Sequence, residues 1–132
     1  MAEKYMPALG AFQRLFKEHA DRIQPQWREN YVNALLAAGH SRRALPLIKA
    51  LAEQSEGDKK TRWQETLLYL YLQLDMRRQA LSFARGLTHE NCMAAKWWKA
   101  LVHVNLSMGR YKEALAGLTI YGYLTPLSLI HI

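Results

Sequence analysis

The chain has 132 residues, half of them apolar and 11% aromatic, with a net charge of +7. That is enough for one ordinary domain and excludes a disordered chain, while the single Cys92, read as a free and buried thiol, excludes an internal disulfide framework. No apolar run is long enough to span a membrane, no charged-then-apolar leader opens the chain, and the basic residues are spread along it, which reads as a solvated surface rather than a nucleic-acid site.

The first predicted helix covers 4–18, with Tyr5, Ala8, Phe12 and Leu15 on one face. The next runs over 25–38. Pro25 suits its first turn, and Trp27, Tyr31, Ala34, Leu35 and Ala38 recur at helical spacing. Gly39 can take the left-handed conformation that ends a helix. Ser41 is then a candidate N-cap for a helix over 41–55 that carries Ala44, Ile48 and Leu51. Pro46 falls about one turn inside, so a late start or a kink is expected there.

The segment Ser55-Glu-Gly-Asp-Lys-Lys60 reads as a linker, and Thr61-Arg-Trp-Gln64 has the spacing of a capping box. A helix over 61–74 follows, with Trp63, Leu67, Leu70, Tyr71 and Leu74 on its stripe, and Asp75 as the turn residue. The helix over 76–88 presents Ala80, Ala84 and Leu87. In the helix over 92–108, Trp97, Leu101, Val104 and Met108 keep the stripe and only Asn105 breaks it. Gly109 turns the chain into a last helix over 111–121, with Ala114, Leu118 and Tyr121. The basic doublets Arg42-Arg43, Lys59-Lys60 and Arg77-Arg78 all fall in loops or at starts of second helices, where exposure is expected.

These segments share one phase. Ala8-Leu9, Ala44-Leu45, Ala80-Leu81 and Ala114-Leu115 are separated by steps of 36 (44−8), 36 (80−44) and 34 (114−80). Trp27, Trp63 and Trp97 each precede the next Ala by 17 residues, and Gly39, Asp75 and Gly109 each follow the Trp by 12. A period of this size marks a stacked helical repeat, in which each unit buries its apolar face against its neighbours. The three striped Trp residues therefore read as core rather than as base-stacking platforms.

The spacing resembles the tetratricopeptide repeat, a helix-turn-helix unit of about 34 residues. The nearest match is Trp98-Lys-Ala-Leu101, then Gly109-Arg-Tyr111-Lys-Glu-Ala114, then Pro126. Trp27 and Trp63 sit one residue before the usual aromatic slot. Val32, Leu68 and Val102 replace the usual small residue, which should hold those helices slightly further apart. The resemblance implies an all-α fold, a right-handed α-solenoid of helix-turn-helix repeats over 1–126. It divides into a half repeat over 1–20 and repeats over about 25–58, 61–90 and 92–126.

In the family the first helices line a concave groove that holds an extended or helical segment of another protein, without catalysis or cofactor. By register the groove positions here are Gln26, Glu29, Asn33 and Leu36, then Arg62, Glu65, Tyr69, Leu72 and Gln73, then Lys96, Lys99, His103 and Leu106. Some members clamp a peptide's terminal carboxylate with Asn and basic side chains. Only Asn33 and Lys96 match that pattern, while Glu29, Thr66 and Ala100 fill the other slots, so no such clamp is expected. The groove should be mixed in sign near Glu29 and Glu65 and positive near Lys96 and Lys99, which favours an acidic segment at the third full unit.

Other chemistry has little support. No His pair has zinc-site spacing, and His89-Glu-Asn-Cys92 lacks a second pair of ligands. Gly57-Asp-Lys-Lys-Thr61 lacks the first Gly and the order of a phosphate-binding loop, and no nucleophile elbow is present. The rival reading is a helical-repeat RNA binder, which needs matching polar pairs in every unit. Gln26, Arg62 and Lys96 do not form such a set, nor do Glu29, Glu65 and Lys99.

The ends read as those of a piece of a longer array. The 4–18 segment lacks its first helix and Pro126 announces a further unit. Leu127–Ile132 matches what a transposon mosaic-end sequencing adapter encodes in one frame and is read as adapter-derived. Self-association through exposed terminal helices is expected, with Tyr121, Tyr123 and Leu124 partly exposed.

Overall fold

The computed structural model describes Gly10, Arg14 and residues 25–125. Among the described residues there are six helices and no strand. They are α1 (Pro25–Ala37), α2 (Ser41–Gln54), α3 (Gly57–Gln73), α4 (Arg77–Glu90), α5 (Ala95–Ser107) and α6 (Tyr111–Leu124). The expected 4–18 helix, Gly10 and Arg14 apart, and the 127–132 tail lie outside the described residues. The chain forms two compact units, Met1–Leu70 and Tyr71–Ile132.

Three turns share one backbone solution. Gly39, Asp75 and Gly109 have φ of 82°, 60° and 72°. In the first, the Gly39 N–H donates to Leu36 O at 3.1 Å and the His40 N–H to Leu35 O at 2.8 Å. Asp75 and Met76 donate likewise to Leu72 and Tyr71, and Gly109 and Arg110 to Leu106 and Asn105. This is the paired cap that satisfies the orphan carbonyls of a helix end. The residue after each turn then accepts from the Ala of the next helix: Ala44 to His40 at 3.1 Å, Ala80 to Met76 at 3.0 Å, Ala114 to Arg110 at 3.0 Å. One chemical rule, a left-handed residue followed by a residue near φ −90°, thus reverses the chain three times.

Those three Ala residues are buried, as their short side chains at a close approach require. In the first unit α1 packs on α2, with Val32, Leu35, Ala44, Ile48 and Leu51 in the core. In the second, α4 packs on α5 and α5 on α6, around Ala80, Ala84, Leu87, Trp97, Leu101 and Val104. Tyr71 meets Phe83 edge to face, with ring centroids 6.1 Å apart.

Several local expectations are corrected. Helix α3 begins at Gly57, not 61, because Asp58, Lys59 and Lys60 are compatible with a first turn and the Asp58 carboxylate complements the positive helix N-terminus. Thr61 is consequently inside the helix, with its hydroxyl directed at Gly57 O at 3.5 Å, and no capping box forms. Ser41 is the first residue of α2 rather than its N-cap; His40 occupies the cap without a side-chain hydrogen bond. Pro46 does not delay α2. Its missing N–H costs only the bond to Arg42 O, and both residues lie at the exposed surface.

Helix α5 begins at Ala95, three residues late, because Asn91–Ala94 form a turn: the Ala94 N–H donates to Asn91 O at 2.9 Å. That turn leaves Cys92 exposed, so the thiol is free but not buried. Its carbonyl is held by the Trp98 indole N–H at 2.8 Å. The Trp residues also differ. Trp97 is 5% exposed and belongs to the core, whereas Trp27 is 39% exposed and does not.

Candidate functional site

In α1 the core stripe is Val32 and Leu35, and beside it run Glu29, Asn33 and Leu36 at i, i+4 and i+7. In α3 the core stripe is Leu67 and Leu70, and beside it run Lys59, Arg62, Trp63 and Thr66. These two flanking stripes enclose a pocket of about 160 Å³. Its apolar lining is Leu36 and Trp63, both half-buried; Glu29, Asn33, Lys59, Arg62 and Thr66 are its polar lining. Lys59 Nζ lies 3.1 Å from Glu29 Oε1, which joins α1 to α3 across the pocket. The Glu29 side chain is 17% exposed and that of Lys59 60%, so the carboxylate is part of the wall and the ammonium is at its edge. The Thr66 hydroxyl donates to Arg62 O at 2.9 Å.

The remaining expected positions are accessible. Gln26, Glu65 and Tyr69 are exposed on α1 and α3 of the first unit. In the second unit Gln73, Lys96, Lys99, His103 and Leu106 are exposed and Leu72 is half-buried. Lys96 Nζ stands 5.7 Å from the centroid of the Trp97 ring, a cation–π distance.

Of the thirteen expected residues, the pocket brings together Glu29, Asn33, Leu36 and Arg62. It adds Lys59, Trp63 and Thr66, which sequence reasoning had assigned to a linker, to the core and to an unmatched slot. The signal for Lys59 was available in principle. A helix begun at Gly57 puts 59, 62, 63 and 66 on one stripe, whereas a helix begun at Thr61 cannot contain 59.

Among the described residues no three His, Cys, Asp or Glu side chains cluster as metal ligands would. Nor, among them, is any helix long and apolar enough to cross a membrane. The basic doublets sit in the first turns of α2, α3 and α4, exposed except for the half-buried Lys60.

No family model matches the chain, and no curated protein matches it. Solved structures do. MamA from AMB-1, in a P212121 crystal, superposes with a TM-score of 0.62 at 20% identity, over 95% of this chain and 66% of that one. MamA from MSR-1, in a C2 crystal, gives 0.59 at 18% identity, over 95% and 70%. The fold is tetratricopeptide-like. The TPR-like chain spans about two thirds of the length of those structures. At such low identity the likeness carries the fold and nothing about partners.

Proposed function

We propose that this TPR-like chain is a protein-interaction scaffold that holds an extended or helical segment of another protein against the exposed faces of its first helices. The observation that carries this reading is the pocket between α1 and α3. It is a recess lined by apolar and polar side chains, and it includes Glu29, Asn33, Leu36 and Arg62, four of the positions that register assigns to the groove. At about 160 Å³ it is well below the ~300–1,000 Å³ typical of cofactor and small-molecule sites, and it is closer to the volume of one side chain. Exposed Tyr69 and Leu106 give further apolar contact area on first helices, and exposed Lys99 gives charge. An acidic stretch of the bound segment is placed by this reading near Lys96 and Lys99.

The test is selection from a library of random peptides displayed at the N-terminus of a coat protein, which leaves no free C-terminus. The wild-type chain should enrich peptides with an acidic stretch, and Lys96→Glu with Lys99→Glu should lose them. Added salt should weaken the wild-type complexes. Enrichment of nothing, or preference for a single-stranded RNA pool over every peptide, overturns the reading and promotes the RNA-binding alternative.

A further inference from the structure

The unmet hydrogen-bonding capacity of the α1/α3 pocket has a sign. Glu29 is already paired with Lys59, and the Thr66 hydroxyl is already committed to Arg62 O. Among the described residues, three lining groups make no hydrogen bond or ion pair: the Arg62 guanidinium, with five donors and no acceptor, the Trp63 indole N–H, and the Asn33 side-chain amide. Counting charges, Glu29 contributes −1 and Lys59 and Arg62 +1 each, so the lining is +1 overall and its free charge is at Arg62. A group that fills the pocket must therefore bring acceptors to Arg62 and Asn33 and apolar surface to Leu36 and Trp63. Within a peptide, glutamate does both: two methylenes and then a carboxylate. Aspartate has one methylene fewer, and a lysine or arginine would place its cation against Arg62.

We infer that this pocket is an anchor site for one glutamate side chain of the bound segment, its stem on Trp63 and Leu36 and its carboxylate on Arg62 and Asn33. The inference rests on the scaffold reading above and adds a second acidic determinant, separate from the one at Lys96 and Lys99. The Glu29–Lys59 pair favours a glutamate over a cation at this site: the Lys59 ammonium offsets the Glu29 charge and weakens its repulsion of the incoming carboxylate. Arg62 is exposed, so changing it leaves the core intact.

The experiment uses peptides selected as above on the full chain, then synthesised with acetylated and amidated ends so that no terminal carboxylate contributes. Each Glu is replaced in turn by Gln. At one position the replacement should weaken binding about tenfold or more, the size expected for loss of a charge-assisted hydrogen bond. Arg62→Glu should weaken the parent peptide comparably. The Gln peptide should then be nearly indifferent to Arg62→Glu, and a Lys at the same position should recover binding to Arg62→Glu but not to wild type. The assignment is overturned if no Glu→Gln change is coupled to Arg62, or if the selected peptides place a basic residue whose effect depends on Glu29. If peptides bind through Lys99 yet ignore Arg62, only the anchor falls; if none bind, the scaffold reading falls with it.

Discussion

Gly117 on α6 lies against Val102 on α5, so close that a methyl group at Gly117 would come within 2.8 Å of Val102 Cγ2. Gly117 stands three residues after Ala114, where the other units have Leu47 and Phe83. Val102 occupies the slot that the tetratricopeptide pattern reserves for a small residue. It was expected to push its helices apart. The residue that faces it across the contact is Gly117, which has no side chain.

Gly117→Ala should therefore destabilise the chain by about 1–3 kcal/mol, the usual range for overpacking, despite alanine's better helix propensity of about 1 kcal/mol. Adding Val102→Ala should recover part of the loss. Thermal melts of the two variants check this, and a Gly117→Ala protein more stable than wild type would contradict the packing.

Asp75 adopts at φ 60° what Gly39 and Gly109 adopt without a Cβ. Left-handed backbone costs an ordinary residue about 1–2 kcal/mol, and a new glycine costs about 0.4–1 kcal/mol in unfolded-chain entropy. Asp75→Gly should thus raise stability by about 0.5–1 kcal/mol. The exposed Asp75–Arg77 ion pair, at 3.0 Å, adds little to oppose it. Gly109→Ala should do the reverse by about 1 kcal/mol, although open space surrounds it, because the strain is in the backbone. Chemical denaturation midpoints of both variants would settle the sign.

Asn105 is buried at 3% exposure, and its Oδ1 has no hydrogen-bond partner. The equivalent residues are Leu35 and Tyr71, both buried. Replacing Asn105 by Leu removes an orphaned polar atom at a position that elsewhere holds an apolar side chain. It should gain about 1–3 kcal/mol, read as a higher urea midpoint at unchanged slope. A loss of stability would mean that the amide has an essential partner, such as a bound water.

Helix α6 repeats α4 in sequence phase but not in burial. Leu81 is 8% exposed and its counterpart Leu115 is 67%; Ala84 is buried and its counterpart Leu118 is exposed. Tyr111 and Tyr123 add to the accessible apolar surface, and Tyr121 and Leu124 are half-buried, as expected from sequence. A face of this kind favours association. Sedimentation velocity should show concentration-dependent association of the chain, reduced by Leu115→Glu with Leu118→Glu at unchanged helical content. A monodisperse monomer at every concentration would remove this expectation.

The repeat phase, the three turns and the buried Ala positions were legible in the sequence because each depends on one residue's own chemistry. A reversal that needs positive φ selects Gly or Asp, and a close helix approach selects Ala, wherever the neighbours are. The boundaries near Gly57 and Ala95 were less legible. Asp58, Lys59 and Lys60 are as compatible with a helix as with a linker, and only the pairing of Lys59 with Glu29 shows which role they take. The identical slots of Trp27 and Trp97 could not reveal that one is exposed and the other buried, since burial belongs to what packs against a residue. For the same reason the pocket was only half visible. Register placed Glu29, Asn33, Leu36 and Arg62 on one side of their helices, but the recess they share with Trp63 exists because α1 and α3 are held side by side. That placement brings together residues far apart in sequence, tied at Glu29 and Lys59, and no local preference of either helix specifies it.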